Sequence, residues 1–568
     1  MNSKVTIIGG GPAGATAATM LAKQGVFVDL FEKSYFPREH IGESLLPASL
    51  PIIKELGLEN EIANAGFLKK YGATMVWGEE SKPWSWYFSE TNKTNPHSYQ
   101  VSRDVFDQIL LNNAKSHGVN VYEGHNIRKA NIVEGAITEL VIDGPTESYC
   151  HKVSHLIDAS GQTCLLGNTL KNRQWDESFR NLSVYSYFSG VSYLPEPDTN
   201  NIFIESYPGG WIWIIPISKT LASVGIVVDS TKAQNELNIT GIQNYFDQQL
   251  NLSNKVKTML SQAKMTKAPT VIKDWSYKCD KLFGKNYVQV GDAACFIDPL
   301  FSSGVHMAMM SGVLSASYMA TIIDNPESFH PVGESYQELY FKEYNHFREM
   351  AQLFYSSNML NDSYFWSARK NLPEFAHYSP RHAFIRAVAG QPPHGYERAV
   401  LTKGAMPSSF VASVKEVEDS RKERMEYLSQ FKLAETNELS DFWEKIPVLN
   451  NKVEIVNKYI LGTGKFVEST CILTESNPEG IPCSTFVKEI IDHINGTSNV
   501  RSISNYILSK QPTGNKSSLL QNIYNTICIL YADEIIIQLK NPSSGLNKKI
   551  RYIRDMTNDG MDHLIIRE

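Results

Sequence analysis

At 568 residues, with 42% hydrophobic and 20% charged residues, the chain is long enough for about three domains and has the balance of a folded rather than a disordered protein. Its net charge of -6 gives no basic field for nucleic acid or an anionic membrane, so neither is expected as a partner. Seven scattered cysteines without Cys-x-x-Cys spacing argue against structural zinc and for a reducing, cytoplasmic setting; the apolar stretch 5–21 is broken by four glycines and a proline, as a membrane span would not be.

In chain order, Lys4 to Ile8 reads as an apolar strand, Gly9-Gly10-Gly11-Pro12-Ala13-Gly14 is G-x-G-x-x-G, and Ala15 to Lys23 is an Ala-rich helix ended by Gly25. Val26 to Phe31 is a second strand, closed by Glu32 and Lys33. Gly9 permits the tight turn, Gly11 lets the backbone approach a pyrophosphate, and Gly14 lets helix and strand pack closely. Glu32 is placed to accept hydrogen bonds from a ribose. FAD or NAD is expected to bind here. Two later elements point to FAD: Asp158-Ala159-Ser160-Gly161 follows apolar Leu156 and Ile157, and Gly291-Asp292 follows the strand Tyr287 to Val290. A carboxylate at such a strand end can bind ribityl or ribose hydroxyls. Residues 288–310 continue as a Pro-bounded loop and a helix, with Ser302, Ser303 and Gly304 ahead of Val305, His306 and Met307. The free N–H groups of that first turn suit an anion.

This order resembles the FAD monooxygenase superfamily with the hydroxybenzoate hydroxylase fold, and Arg103, in Val101-Ser102-Arg103-Asp104, matches that superfamily's flavin-contacting arginine. Four further stretches narrow the likeness. They are Gly210 to Pro216 (W-x-W-x-I-P), Phe296 to Val305 (F-x-D-P-x-x-S-x-G-V), Gly66 to Ala73, and Ile41-Gly42-Glu43-Ser44-Leu45-Leu46-Pro47. Together they resemble the flavin-dependent halogenases, in the branch acting on phenols and pyrroles, often with the substrate on a carrier protein.

The resemblance implies an α/β fold with an α+β insert. Residues 1–330 would form a Rossmann-like FAD-binding domain carrying an antiparallel substrate sheet (65–100 and 180–270), and 331–435 a helical substrate cover and linker. Residues 436–568 would form a C-terminal winged-helix-like or docking module. Implied partners are a flavin reductase and an aromatic substrate, free or carrier-tethered. Implied FAD contacts are Gly9, Gly11, Pro12, Ala13, Gly14, Glu32, Lys33, Glu43, Ser44, Arg103, Asp158, Gly291, Asp292, Asp298, Pro299, Gly304 and Val305. Some members of this branch attach FAD covalently through the aspartate matched by Asp298.

In the implied mechanism, reduced FAD and O2 give a C4a-hydroperoxide that chloride or bromide attacks, releasing hypohalous acid. The halide would sit on the N–H groups of Ser303 and Gly304. Lys70 matches the catalytic lysine two positions before Gly-Ala, which selects it over Lys69. Whether it acts as amine or ammonium stays open. Trp211 and Trp213 would shield the flavin from the substrate. Phe301 stands where tryptophan-specific relatives carry a glutamate, which favours a ring activated by its own hydroxyl or pyrrole nitrogen.

Downstream, Tyr364 to Arg369 and Arg381 to Gly404 read as an aromatic cover, with Tyr364, Phe365, Trp366 and Phe384 as pocket lining, and Lys415 to Glu435 as an amphipathic linker helix. Beyond it, 453–460 and 466–473 are strand-like, and 485–494, 500–507 and 519–532 helix-like. Three other readings stay open: a single-component FAD-dependent aromatic hydroxylase, a flavin reductase of isoprenoid double bonds, and a non-catalytic flavin-bearing docking protein.

Overall fold

The computed structural model describes residues 4–77, 83–90, 92–273, 275–356, 422–431, 439–474, 477–510 and 515–542. Lys4–Ile8, Phe27–Glu32, Asn120–Glu123, His155–Asp158 and Tyr287–Gln289 form one parallel sheet with Lys4–Ile8 at its centre. All but the first residue of Lys4–Ile8 is buried, which is why it reads as an unbroken apolar run. Helix Pro12–Lys23 lies against Gly304–Asp324, and a Cβ on Gly312 would stand 2.6 Å from the Ala13 carbonyl oxygen. Gly304–Asp324 is also long and apolar enough to cross a membrane, although 72% of its most apolar window is buried inside this protein. The sequence singled out only 5–21 for that question.

The expected insert is present as a ten-stranded sheet, with two corrections. It draws on residues as far as Cys295–Phe296, and it is mixed rather than antiparallel, since Ile202–Tyr207 runs parallel to Gly72–Val76. Those two strands come from distant segments with the Rossmann layer between them, so no hairpin forces them antiparallel. Gly210–Pro216 is buried on both faces: Trp211, Trp213 and Ile215 face the core shared with the Rossmann layer, while Ile212 and Ile214 face a second core with helix Ile242–Leu250. Period-2 alternation thus delivers both indoles to one side. Trp213 lies over Gly225 of the neighbouring strand, where a Cβ would meet the indole at 2.1 Å.

Helix Phe329–Ser356 opens the expected cover. Tyr364, Phe365, Trp366 and Phe384 lie outside the described residues, as does most of the 415–435 linker, of which 422–429 is helical. The described residues fall into two compact units, the first within Met1–Ser413 with Lys458–Glu468, the second within Val414–Asn457 and Ser469–Glu568. The boundary expected at 435/436 is therefore crossed by a returning segment. Helices Thr485–Asp492, Val500–Lys510 and Lys516–Ala532 correspond to the three expected, and strands Ile446–Leu449, Asn477–Cys483 and Ile536–Lys540 are additions that short length hid from the periodicity.

Candidate active site

A cavity of about 580 Å³ begins at the carboxyl ends of the parallel strands and reaches the two indoles. Lys4–Ile8 delivers the chain into Gly9, whose φ is +97° and where a Cβ would stand 2.3 Å from the Ala159 carbonyl oxygen, leaving no room for a side chain. Gly14 is equally confined, its would-be Cβ standing 1.9 Å from the Gly9 oxygen. Helix Pro12–Lys23 has no side-chain cap, so its first N–H groups stay available beside the wall residues Gly11, Pro12 and Ala13. Glu32 accepts from the N–H groups of Gly10 (2.7 Å) and Ser34 (2.8 Å) while also walling the cavity.

At the far end stand Glu43, Ser44, Arg103, Asp292, Pro299, Gly304, Val305, Trp211 and Trp213. Arg103 donates to both Asp107 carboxylate oxygens (2.8 and 2.9 Å) and to the Ile41 carbonyl, which pins the 41–45 segment against helix Arg103–Ser116. Burial lifts the Asp292 pKa to about 6, against the pull of Arg103. Free helix N–H groups at one end, cations of Arg38 and Arg103 along the side, and an apolar indole end suit the pyrophosphate and ring system of FAD.

Lys70 lies behind this wall. Leu68–Lys70 pairs with Ser98–Gln100, and residues 43–45 run along 99–101, with the Leu45 N–H donating to the Tyr99 oxygen at 2.9 Å. Strand alternation exposes Lys69 and buries Lys70. Lys70 Nζ donates to Ser44 Oγ (2.7 Å) and the Leu45 carbonyl (3.3 Å), and forms no ion pair among the described residues. Burial brings its pKa down to about 7. Phe88 lies 5.4 Å from the ammonium, and Phe301 packs edge-on to Phe354.

A family model described as tryptophan halogenase matches residues 4–96 and 89–398. The chain belongs to the tryptophan halogenase family. This halogenase is 34% identical to a "Tryptophan 2-halogenase" of Chondromyces crocatus over 65% of its own length and 71% of the relative's. It is 31% identical to a "1H-pyrrole-2-carbonyl-[peptidyl-carrier protein] chlorinase" of Pseudomonas fluorescens over 65% and 87%. The solved structure of CmlS, a flavin-dependent halogenase, superimposes with a TM-score of 0.69 at 26% identity, covering 94% of this chain and 96% of that one. The matching family and these relatives are flavin-dependent halogenases, which are oxidoreductases.

Several expected flavin contacts sit differently in this halogenase. Asp158 is not in the cavity wall: its carboxylate accepts from the N–H groups of Ser160 (3.0 Å) and Leu166 (2.8 Å), and the turn it ties down, Ala159 to Thr163, supplies the wall. Gly14 and Gly291 act behind the wall by close packing; a Cβ on Gly291 would lie 3.1 Å from that of Ala13. Asp298 also lies outside the wall, so the structure gives no support to its attaching FAD covalently. Its Oδ1 accepts from the Leu300 N–H (3.1 Å), and its Oδ2 from Asn181 Nδ2 (2.6 Å) and the Tyr355 hydroxyl (2.9 Å). Ser303 is buried behind Ser302 and Gly304, which form the wall, and caps helix Gly304–Asp324 without a side-chain bond. Phe301 is likewise buried outside the wall.

Sequence reasoning missed Arg38, Tyr355 and Asn181. Arg38 walls the cavity and pairs with Asp107 at 3.3 Å; its place in Pro37-Arg38-Glu39-His40, just before the Gly-Glu-Ser stretch, was the available signal. Tyr355 accepts from Trp211 Nε1 at 2.6 Å, and no local pattern announces a partner 144 residues away.

Proposed function

We propose that this enzyme halogenates an electron-rich ring, a phenol or tyrosyl group ahead of a pyrrole, free or tethered to a carrier protein, with reduced FAD supplied by a separate flavin reductase. Reduced FAD and oxygen supply the oxidising power that turns chloride or bromide into hypohalous acid. The observation that carries this reading is Lys70: a buried amine with no carboxylate partner among the described residues, bonded to Ser44, which itself walls the cofactor cavity. Electrophilic halogen is reduced by most nucleophilic side chains, and a single buried nitrogen behind the cofactor wall is a means of positioning it for one ring.

In this reading the N–H groups of Ser303 and Gly304 at the start of helix Gly304–Asp324 hold the halide, and Lys70 Nζ receives hypohalous acid and presents it to the substrate. Trp211 and Trp213 separate cofactor from substrate. Trp211 is held by Tyr355, and Trp213 donates to Ser223 Oγ at 3.3 Å. Phe301 offers no base to a ring that lacks its own activating group, which supports phenol or pyrrole. The pyrrole-carrier-protein chlorinase among the relatives supports tethering. We also place the enzyme in the cytoplasm, in keeping with seven scattered cysteines that show no Cys-x-x-Cys spacing.

The test is product mass spectrometry after incubation with FAD, a flavin reductase, NADH, oxygen, bromide and a panel of phenols and pyrroles, with and without carrier tethering. A bromine isotope pair on product that requires both bromide and reductase is expected. Oxygenated product formed without halide would overturn the reading.

A further inference from the structure

Behind the far end of the cofactor cavity lies a second pocket of about 160 Å³, lined in part by Tyr187, Thr266, Lys267, Ser102 and Asp104. The two spaces share a partition made by Glu39, His40, Glu43 and Arg103, each of which walls both. Within it, Glu43 is 1% exposed. Oε1 accepts from the Tyr187 hydroxyl at 2.8 Å, and Tyr187 belongs to the second pocket and not to the cofactor cavity. Oε2 is buried without a hydrogen-bond partner among the described residues. A buried oxygen of an ionised carboxylate left in that state carries a heavy desolvation penalty, whereas a carboxylic acid hydroxyl does not need a counter-charge. Arg103 relieves it only through its charge, because its guanidinium hydrogen bonds go to both oxygens of Asp107, and burial outweighs that pull.

We infer that Glu43 is a proton-exchange group, passing protons from the second pocket through the Tyr187 hydroxyl to the cofactor cavity. The carboxyl holds its proton at Oε2. When a base forms in the cavity, the Oε2–H bond breaks toward it. In the same event Oε1 takes the Tyr187 proton, the phenol oxygen takes one from solvent acid relayed by water in the second pocket, and the carboxyl then turns to bring its proton back to the cavity side. One proton enters the pocket side and one leaves on the cavity side, so neither a phenolate nor a buried carboxylate accumulates. Burial raises the pKa of both groups in the direction this requires. The charged and polar groups facing the carboxyl are Arg103 from helix Arg103–Ser116, and Tyr187 and its cross-strand neighbour Ser223 from the mixed sheet. Asp292 acts on the same Arg103, and Glu39, His40, Asp104 and Lys267 line the second pocket. Reoxidation of reduced flavin by oxygen consumes protons whatever follows it, so the inference rests on flavin chemistry in the large cavity and not on halogenation.

The test has two readouts. Infrared difference spectra of the full-length protein freed of flavin, native against Glu43→Gln at pH 7, should show the carbonyl band of a protonated carboxylic acid that is sensitive to deuterium oxide and shifts in Tyr187→Phe. Proton uptake on reoxidation of bound reduced flavin, followed with an indicator dye in the absence of halide, should slow by about 10²-fold in Glu43→Gln, the range lost with a general acid. Tyr187→Phe, which leaves the cavity wall intact, should slow it in the same direction and decides the matter if Glu43→Gln fails to hold flavin. A missing acid band, or native uptake rates in Tyr187→Phe, would overturn the proposal.

Discussion

The two ends of the site are built on different principles. The loop from Gly9 to Gly14 binds through backbone, and its residues are chosen for what they lack: a Cβ at Gly9 or Gly14 would strike a carbonyl oxygen at 2.3 or 1.9 Å. The Lys70 end is built around a buried amino group that forms no ion pair among the described residues, held by a hydroxyl and a carbonyl. The first end tolerates no added atom, while the second tolerates changes of shape but not of chemistry. Damage should therefore appear as lost cofactor binding at one end and as lost transfer with binding intact at the other.

The largest effect is expected from Gly14→Ala. Its Cβ meets the Gly9 backbone at 1.9 Å and the Ala159 Cβ at 3.3 Å, so the helix must move off the turn, and the purified protein should lose FAD on gel filtration and with it all flavin-dependent activity. Retention of FAD by this variant would break the contrast. Lys70→Met, similar in length and uncharged, should keep FAD affinity and flavin reoxidation while product formation falls by about 10²–10⁴-fold, measured by product mass spectrometry beside oxygen consumption.

The same variant gives a pH test with a definite sign. Lys70 titrates near 7 when folded and near 10.5 when unfolded, so between those values the unfolded chain binds one more proton. Its contribution to stability therefore rises with pH across that window, by at most about 1.4 kcal/mol per pH unit. Denaturant titrations should show this slope in the native protein and its loss in Lys70→Met. Equal slopes would mean that the lysine is not the buried group described here. The smallest effect belongs to Tyr355→Phe, which leaves the Trp211 indole N–H without its hydroxyl partner at a cost of about 1–3 kcal/mol. Thermal unfolding would register that cost, and a fall in halogenated product per flavin oxidised would register a displaced indole. Acid precipitation of the native protein should release its flavin, because the Asp298 carboxylate is engaged with Asn181 and Tyr355.

The first end was legible because its function is local. Strand, glycine turn, helix and Glu32 follow one another within 29 residues, and Gly9 and Gly14 each have a steric reason at their own position. Lys70 was legible only by resemblance to a family pattern; strand alternation then explains why it, and not Lys69, is buried. Asp158 and Asp298 lie outside the cavity lining, and a carboxylate at a strand end or before a proline looks the same in sequence whether it binds a ligand or backbone N–H groups. Both hold turns here.

By itself, the sequence determined the dinucleotide loop, the alternation that puts Trp211 and Trp213 on one face, and the family, since each depends on residues close together along the chain. Only the tertiary structure decided that Ser44 carries Lys70 to the cofactor wall, that Tyr355 fixes Trp211 from 144 residues away, and that Glu43 stands between two cavities. The physical reason is that burial and hydrogen-bond partnership are properties of packed neighbours, and sequence spacing carries no record of which distant element closes over a side chain.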